Sequence, residues 1–304
     1  MGEHHHHHHR ENLQGKKLFL TIFLNFLITA IQVVGGILSN SLSLLSDALH
    51  NLSDGIAILL AYVAMKLGRR PATLQKTFGY KRSEILAAFF NALVLISISV
   101  FLIFEAIERF EHPAPVKGGL MFWMGLTGLV ANTFSVFILH DEKGENLNIK
   151  AAYLHLLGDA LTSLAVIIGA GAIHLWGWTW VDPSITVAVS IYLIIHTWGV
   201  FRKTLHILMQ FVPTGIEIAE IIEKLSSIDR IQGIHHVHLW QLTDKQIHLE
   251  AHVEVSNDCM VSETEHLTEQ IRHILEHGFE ITHVTLQYEY KPRKCEENCQ
   301  QIDG

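Results

Sequence analysis

The sequence predicts an α-helical membrane protein, with six transmembrane helices followed by a C-terminal α+β, ferredoxin-like cytoplasmic domain. Three observations carry this expectation. Only 17% of the 304 residues are charged, and mean hydropathy is +0.27, whereas soluble domains carry about 25% charged residues. The deficit of charge lies within residues 18–208. After Pro213 the composition becomes that of an ordinary soluble domain, and the apolar periodicity changes with it. The expected organisation is a His-rich tail over 1–15, a membrane domain over 16–208, a separate C-terminal domain over 213–291 and a Cys-containing tail over 292–304. The run His4–His9 is either an expression tag or a native metal-collecting tail.

Crossing a bilayer takes about 20 apolar residues. Six stretches qualify: 18–38, 41–67, 84–107, 119–140, 151–175 and 184–205. Breakers separate them, among them Ser39-Asn40, Pro113-Ala114-Pro115 and Asp182-Pro183. No cleavable signal peptide is expected, because the first apolar run is long and has no small-residue cleavage site. The N-terminus, the second and fourth loops and the exit of the sixth stretch together hold thirteen Lys and Arg, whereas the other loops hold two, Arg109 and Lys117. The positive-inside bias therefore places both termini in the cytoplasm, as an even number of spans requires. Brief loops and a compact tail suit a bacterial inner membrane.

Beyond Pro213, Ile218, Ile221, Ile222 and Leu225 recur at helical spacing and predict a helix over 215–226. Strands are expected over 234–242 and 246–255, a second helix over 261–277 and a last strand over 282–290. In the second strand Ile247, Leu249, Ala251, Val253 and Val255 alternate with His248, Glu250, His252 and Glu254. The order α-β-β-α-β makes an open-faced sandwich, with helices on one side of a sheet.

Ionisable side chains inside a bilayer are costly, and by default they are functional candidates. His50 and Asp54 are four apart in the second span, and His155 and Asp159 repeat that spacing in the fifth. Four apart means one above the other on a helix face. One such pair is equally well a hydrogen-bonded core histidine beside a capping aspartate. Two identical pairs in separate spans instead form a set of two imidazoles and two carboxylates, which suits tetrahedral Zn²⁺ and cancels its charge. A full shell favours carriage over hydrolysis, and His-Glu-x-x-His is absent from the chain. Asp47, nearly one turn before His50, is a further candidate. Gln32 and Asn91 are expected to bond between helices. The polar strand faces of the tail carry His238, His248, His252, His283 and Glu289, with Cys295 and Cys299 just beyond. His235, His236, His273 and His277 are taken as surface residues.

These segments resemble the cation diffusion facilitator family, in particular its zinc, cobalt and cadmium exporters. The resemblance rests on Ser41–Asp54, Phe78–Leu86, Asn148–His155, Asp182-Pro183 and His238–Thr243, and it spans about residues 16 to 290. It implies a homodimer, a metallochaperone-like cytoplasmic domain and exchange of metal for protons. It also implies a transport site of His50, Asp54, His155 and Asp159, with His at the first position associated with zinc preference. By the same resemblance His238, His252, His283, Glu289, Cys295 and Cys299 would form a binuclear cytoplasmic site with a regulatory role, and His248 and His266 match positions used in other members. Some members hold a metal in the loop between the second and third helices. Here Gly68–Lys81 contains neither Asp nor His, so no metal is expected there.

The function expected is Zn²⁺ efflux by metal/proton antiport, not enzymatic catalysis. No nucleotide is expected, since no Gly-x-x-x-x-Gly-Lys-Ser/Thr occurs, and a net charge of −8 argues against nucleic-acid binding. Two alternatives stand beside it: a membrane-anchored metal sensor, and the same transporter with Co²⁺ or Cd²⁺ as its main substrate.

Overall fold

The structure is a computed structural model and describes residues 26–140 and 147–290. The chain divides into two units. One runs to Tyr62 and continues over Phe90–Phe201; the other takes Val63–Phe89 and the chain from Arg202 onward.

The first unit is helical. Its elements belong to α1 (Phe26–Ser39), α2 (Leu42–Gly68), α3 (Ser83–Glu111), α4 (Gly118–His140), α5 (Leu147–Trp176) and α6 (Val181–Leu208). Among the described residues four of these, α2, α3, α5 and α6, are long and apolar enough to cross a membrane. α1 and α4 occupy the remaining two predicted stretches. Large apolar side chains such as Phe104, Phe137 and Ile195 face outward, as lipid-facing positions do, and the interior is rich in small and polar residues. Asp47, His50, Asp159, Asp182 and Gln32 are all buried, with Ser41, Ser43, Ser163 and Ser190. In lipid there is little hydrophobic force between helices, so close packing and interhelical hydrogen bonds hold them together. Gly118 shows how close the approach is: a Cβ there would lie 2.8 Å from the His174 nitrogen and 2.9 Å from the Ala170 oxygen.

Two helix boundaries bear on the site. α1 ends with Asn40 in the left-handed region at φ 58. Asn40 N donates to Ile37 O and Ser41 N to Gly36 O at 3.2 and 3.0 Å, the pairing of a Schellman turn. The second boundary departs from expectation. Asp182-Pro183 is not a separator but lies in the first turn of α6, where a proline ring meets no preceding carbonyl and its missing N–H costs nothing.

The soluble part of the second unit comprises α7 (Ile218–Ser226), β1 (Ile231–Gln241), β2 (Ile247–Val255), α8 (Val261–Phe279) and β3 (His283–Glu289). The sheet order is β1-β2-β3, with β1 antiparallel and β3 parallel to β2. The five apolar residues of β2 all face a core that includes Ile221, Leu225, Ile271 and Leu275. The opposite face is polar, yet His248 on it is buried. Its ring lies 6.1 Å from Phe78 and stacks on Trp240 at 5.5 Å.

Candidate metal centre

The N-terminal turn of α2 sets the position of its functional residues. Ser41 caps the helix, accepting from Leu44 N at 3.1 Å. The free N–H groups of Leu42 and Ser43 donate to Asp182 at 2.9 and 3.2 Å. The hydroxyls of Ser41 and Ser43 reach the same carboxylate at 2.6 and 2.7 Å. A carboxylate here is favourable, because unpaired N–H groups give a helix N-terminus positive character. Arg109 Nη1 lies 3.8 Å from Asp182.

From that start His50 and Asp54 fall in the third and fourth turns of α2, where they meet α5. His50 Nε2 lies 3.0 Å from Asp159 Oδ1 and 3.6 Å from Asp54 Oδ2. His50 and Asp159 are each 3% exposed and Asp54 is partly open, so the group has a buried floor and one accessible member. Ligand atoms around tetrahedral Zn²⁺, with bonds of 2.0–2.2 Å, sit about 3.3 Å apart. The observed separations bracket that spacing. His155 lies on α5 one turn before Asp159, and its side chain is outside the described residues. Asp47 is near but turned away, with both oxygens engaged by Gln32, Thr162 and Ser163. Gln32 thus bonds between helices, and Asn91 does so by accepting from Ser53 Oγ at 3.3 Å.

A second group lies on the polar face of the sheet in the other unit. His252 Nδ1 is 2.9 Å and His235 Nε2 3.3 Å from the Glu289 carboxylate. These three residues offer ligand atoms within 4.8 Å of one another. The His236 ring lies 4.7 Å from that of His252, tilted by 39°, and its Nε2 lies 3.3 Å from His238 Nε2. The predicted cytoplasmic residues therefore divide. His252 and Glu289 come together, and His238 joins them only through His236. His283 pairs instead with His248, opposite it on β2, at 4.6 Å between ring centres. His266 is exposed on α8. Cys295 and Cys299 lie outside the described residues. His235, expected at the surface, is brought into the group by a bulge. The β1–β2 register shifts between His235 and His238, and His236 sits at φ 53. The bulge sets His235 opposite His252 on β2. The consecutive pair His235-His236 within an otherwise alternating strand is the signal that points to it.

The comparisons with known proteins match the helical part and the small sheet domain separately. Residues 18–209 match the cation efflux transmembrane domain, and residues 213–291 match the cytoplasmic domain of cation efflux proteins. The chain belongs to the cation efflux family. It is therefore a multi-pass membrane protein of the cation diffusion facilitators. Among its relatives in that family is the cadmium, cobalt and zinc/H⁺-K⁺ antiporter of Bacillus subtilis (strain 168), 41% identical over 90% of this chain and 89% of that protein. The zinc transporter ZitB of Escherichia coli (strain K12) is 40% identical over 86% of this chain and 83% of its own length. The metal cation efflux system protein CzcD of Cupriavidus metallidurans is 36% identical over 96% and 90%.

Proposed function

We propose that this cation efflux protein exports Zn²⁺ in exchange for protons, by alternating access within a homodimer. The observation that carries the reading is the convergence of His50, Asp54 and Asp159 from α2 and α5 inside the helical unit. His155 is the proposed fourth ligand. Two carboxylates neutralise a divalent ion at a depth where uncompensated charge is costly. Metal binding needs a neutral imidazole and ionised carboxylates, so metal and proton compete for the same atoms. That competition couples the two fluxes without a nucleotide. A closed four-ligand shell leaves no position for a reactive water, which supports carriage rather than hydrolysis. Both termini are proposed to face the cytoplasm of a bacterial cell, where the sheet domain over 213–291 meets metal. His235, His252 and Glu289 there supply a regulatory site, with His238, His283, Cys295 and Cys299 as further donors.

Cd²⁺ and Co²⁺ accept the same N and O donors, and one relative's name includes both metals. Zn²⁺ is placed first because imidazole stands at the first position of the α2 motif. The deciding measurement is Zn²⁺-driven proton flux in proteoliposomes. Asp159→Ala should lower it by at least about 10- to 100-fold, the range seen even for residues one shell further out from a metal. Undiminished flux removes the assignment.

A further inference from the structure

Asp47 is buried at 1% exposure in the first unit, yet its carboxylate does not join the metal group. Oδ1 accepts from Thr162 Oγ1 at 3.1 Å. Oδ2 accepts from Gln32 Nε2 at 3.0 Å and from Ser163 Oγ at 2.9 Å. The donors are themselves held. Gln32 is fully buried and its Oε1 accepts from Asn51 Nδ2 at 3.2 Å. Ser163 Oγ accepts from Asn132 Nδ2 at 3.2 Å. A Cβ at Gly128 would collide with Gln32 Nε2, so the α4 backbone closes over that amide.

The placement of this network is what gives it a consequence. On α2, Asp47 stands three residues before His50, and on α5, Thr162 and Ser163 stand three and four after Asp159. Each is therefore one turn from a metal ligand on its own helix. Thr162 Oγ1 also lies 2.9 Å from the Asp159 carbonyl oxygen, so its single proton is shared between that carbonyl and Asp47, and the hydroxyl touches the turn that carries that ligand. The bonds of Asp47 to Thr162 and Ser163 thus tie α2 to α5 beside the site, and they act on the gap spanned by His50 and Asp159. A carboxylate suits the position because its two oxygens offer acceptors to all three donors.

We propose that the clamp of Gln32, Thr162 and Ser163 on Asp47 fixes the α2–α5 separation at the transport site and so makes Asp47 a specificity-determining residue that favours Zn²⁺ over larger divalent ions. The proposal rests on the transport reading above. Ion size is selected where the ligands cannot move apart. A tetrahedral shell at 2.0–2.2 Å needs the two helices held close. Cd²⁺ has the same charge and d¹⁰ shell but a larger radius, so it gains when the tie is loosened.

The test compares KM for Zn²⁺ and Cd²⁺ in proteoliposomes of the full chain. Thr162→Val removes one clamp hydroxyl at nearly constant shape, Ser163→Ala removes the other, and Asp47→Asn turns an amide donor toward the donors around it. Each should raise the ratio of KM for Zn²⁺ to KM for Cd²⁺ by about three- to tenfold, the effect expected of one such bond. Thr162→Ser keeps the hydroxyl and should retain the wild-type ratio. Size-exclusion profiles identify variants that fail to fold, and Ser163→Ala serves if Thr162→Val is lost. An unchanged ratio in folded Thr162→Val and Ser163→Ala, or equal loss of both metals, overturns the proposal while leaving transport intact. Failure of the wild type to move either metal overturns the transport reading itself, and the clamp with it.

Discussion

At the scale of single residues, burial decides which polar groups matter. Asp182 accepts four hydrogen bonds from Ser41, Leu42 and Ser43. The carboxylate is fully buried. Asp182→Ala should therefore cost on the order of 3 kcal/mol, since several donors are stranded together. Asp182→Asn should cost less, because an amide oxygen still accepts. Thermal unfolding in detergent checks the ranking; equal melting temperatures for all three proteins would count against the cap. The pairing of His50 with Asp54 was legible in the sequence because a four-residue spacing obeys local helix geometry, and Asp159 meets them from α5. Asp182 was not, because its partners stand 139 to 141 positions away. Asp47 was visible only as a carboxylate near His50; that Gln32, Thr162 and Ser163 engage both its oxygens depends on α1 and α5.

At the scale of elements, apolar periodicity found every helix and strand of the cytoplasmic part, with ends displaced by a few residues. The misplacement that mattered came from the β1 bulge, since one extra residue inverts the facing of every neighbour. β2 carries a second lesson, because its polar face is not uniformly wet. Burial holds the His248 imidazole below its ordinary pKa, and the positive charges of His283, Lys81 and Arg82 add to the effect. A lowered pKa means that the unfolded chain takes up this proton first. The contribution of neutral His248 is thus complete above about pH 6.5 and is lost as pH falls toward the lowered value. His248→Phe, which keeps a ring beside Phe78 and Trp240, should lose less melting temperature than wild type between about pH 7.5 and pH 5. Parallel curves for the two proteins would exclude this origin for the acid sensitivity.

At the scale of the whole molecule, the change of composition after Pro213 falls where the two family matches divide, and each part carries a cluster of side chains able to hold a metal. The two are distinguishable by what metal does to stability. An ion that binds only the folded state stabilises it by about 2.7 kcal/mol at a hundredfold excess over Kd. Adding Zn²⁺ should raise the melting temperature of the wild type, and chelation should reverse it. Replacing His235 and His252 together by Ala should remove the part of that rise contributed by the sheet cluster of His235, His252 and Glu289. A rise of undiminished size in the double variant would exclude the cluster as a binding site.

The long reach of Asp182 also bears on how the chain is made. The first turn of α2 presents backbone and hydroxyl donors whose acceptor is encoded 139 to 141 residues later. At a synthesis rate of about 5–20 residues per second, that acceptor follows by roughly 7 to 28 s. Until α6 arrives, those donors must be covered by water, lipid headgroups or the insertion machinery. The helix that carries His50 and Asp54 therefore lacks this acceptor until the chain has reached α6, so a nascent chain truncated before Asp182 holds His50, Asp54 and Asp159 without it.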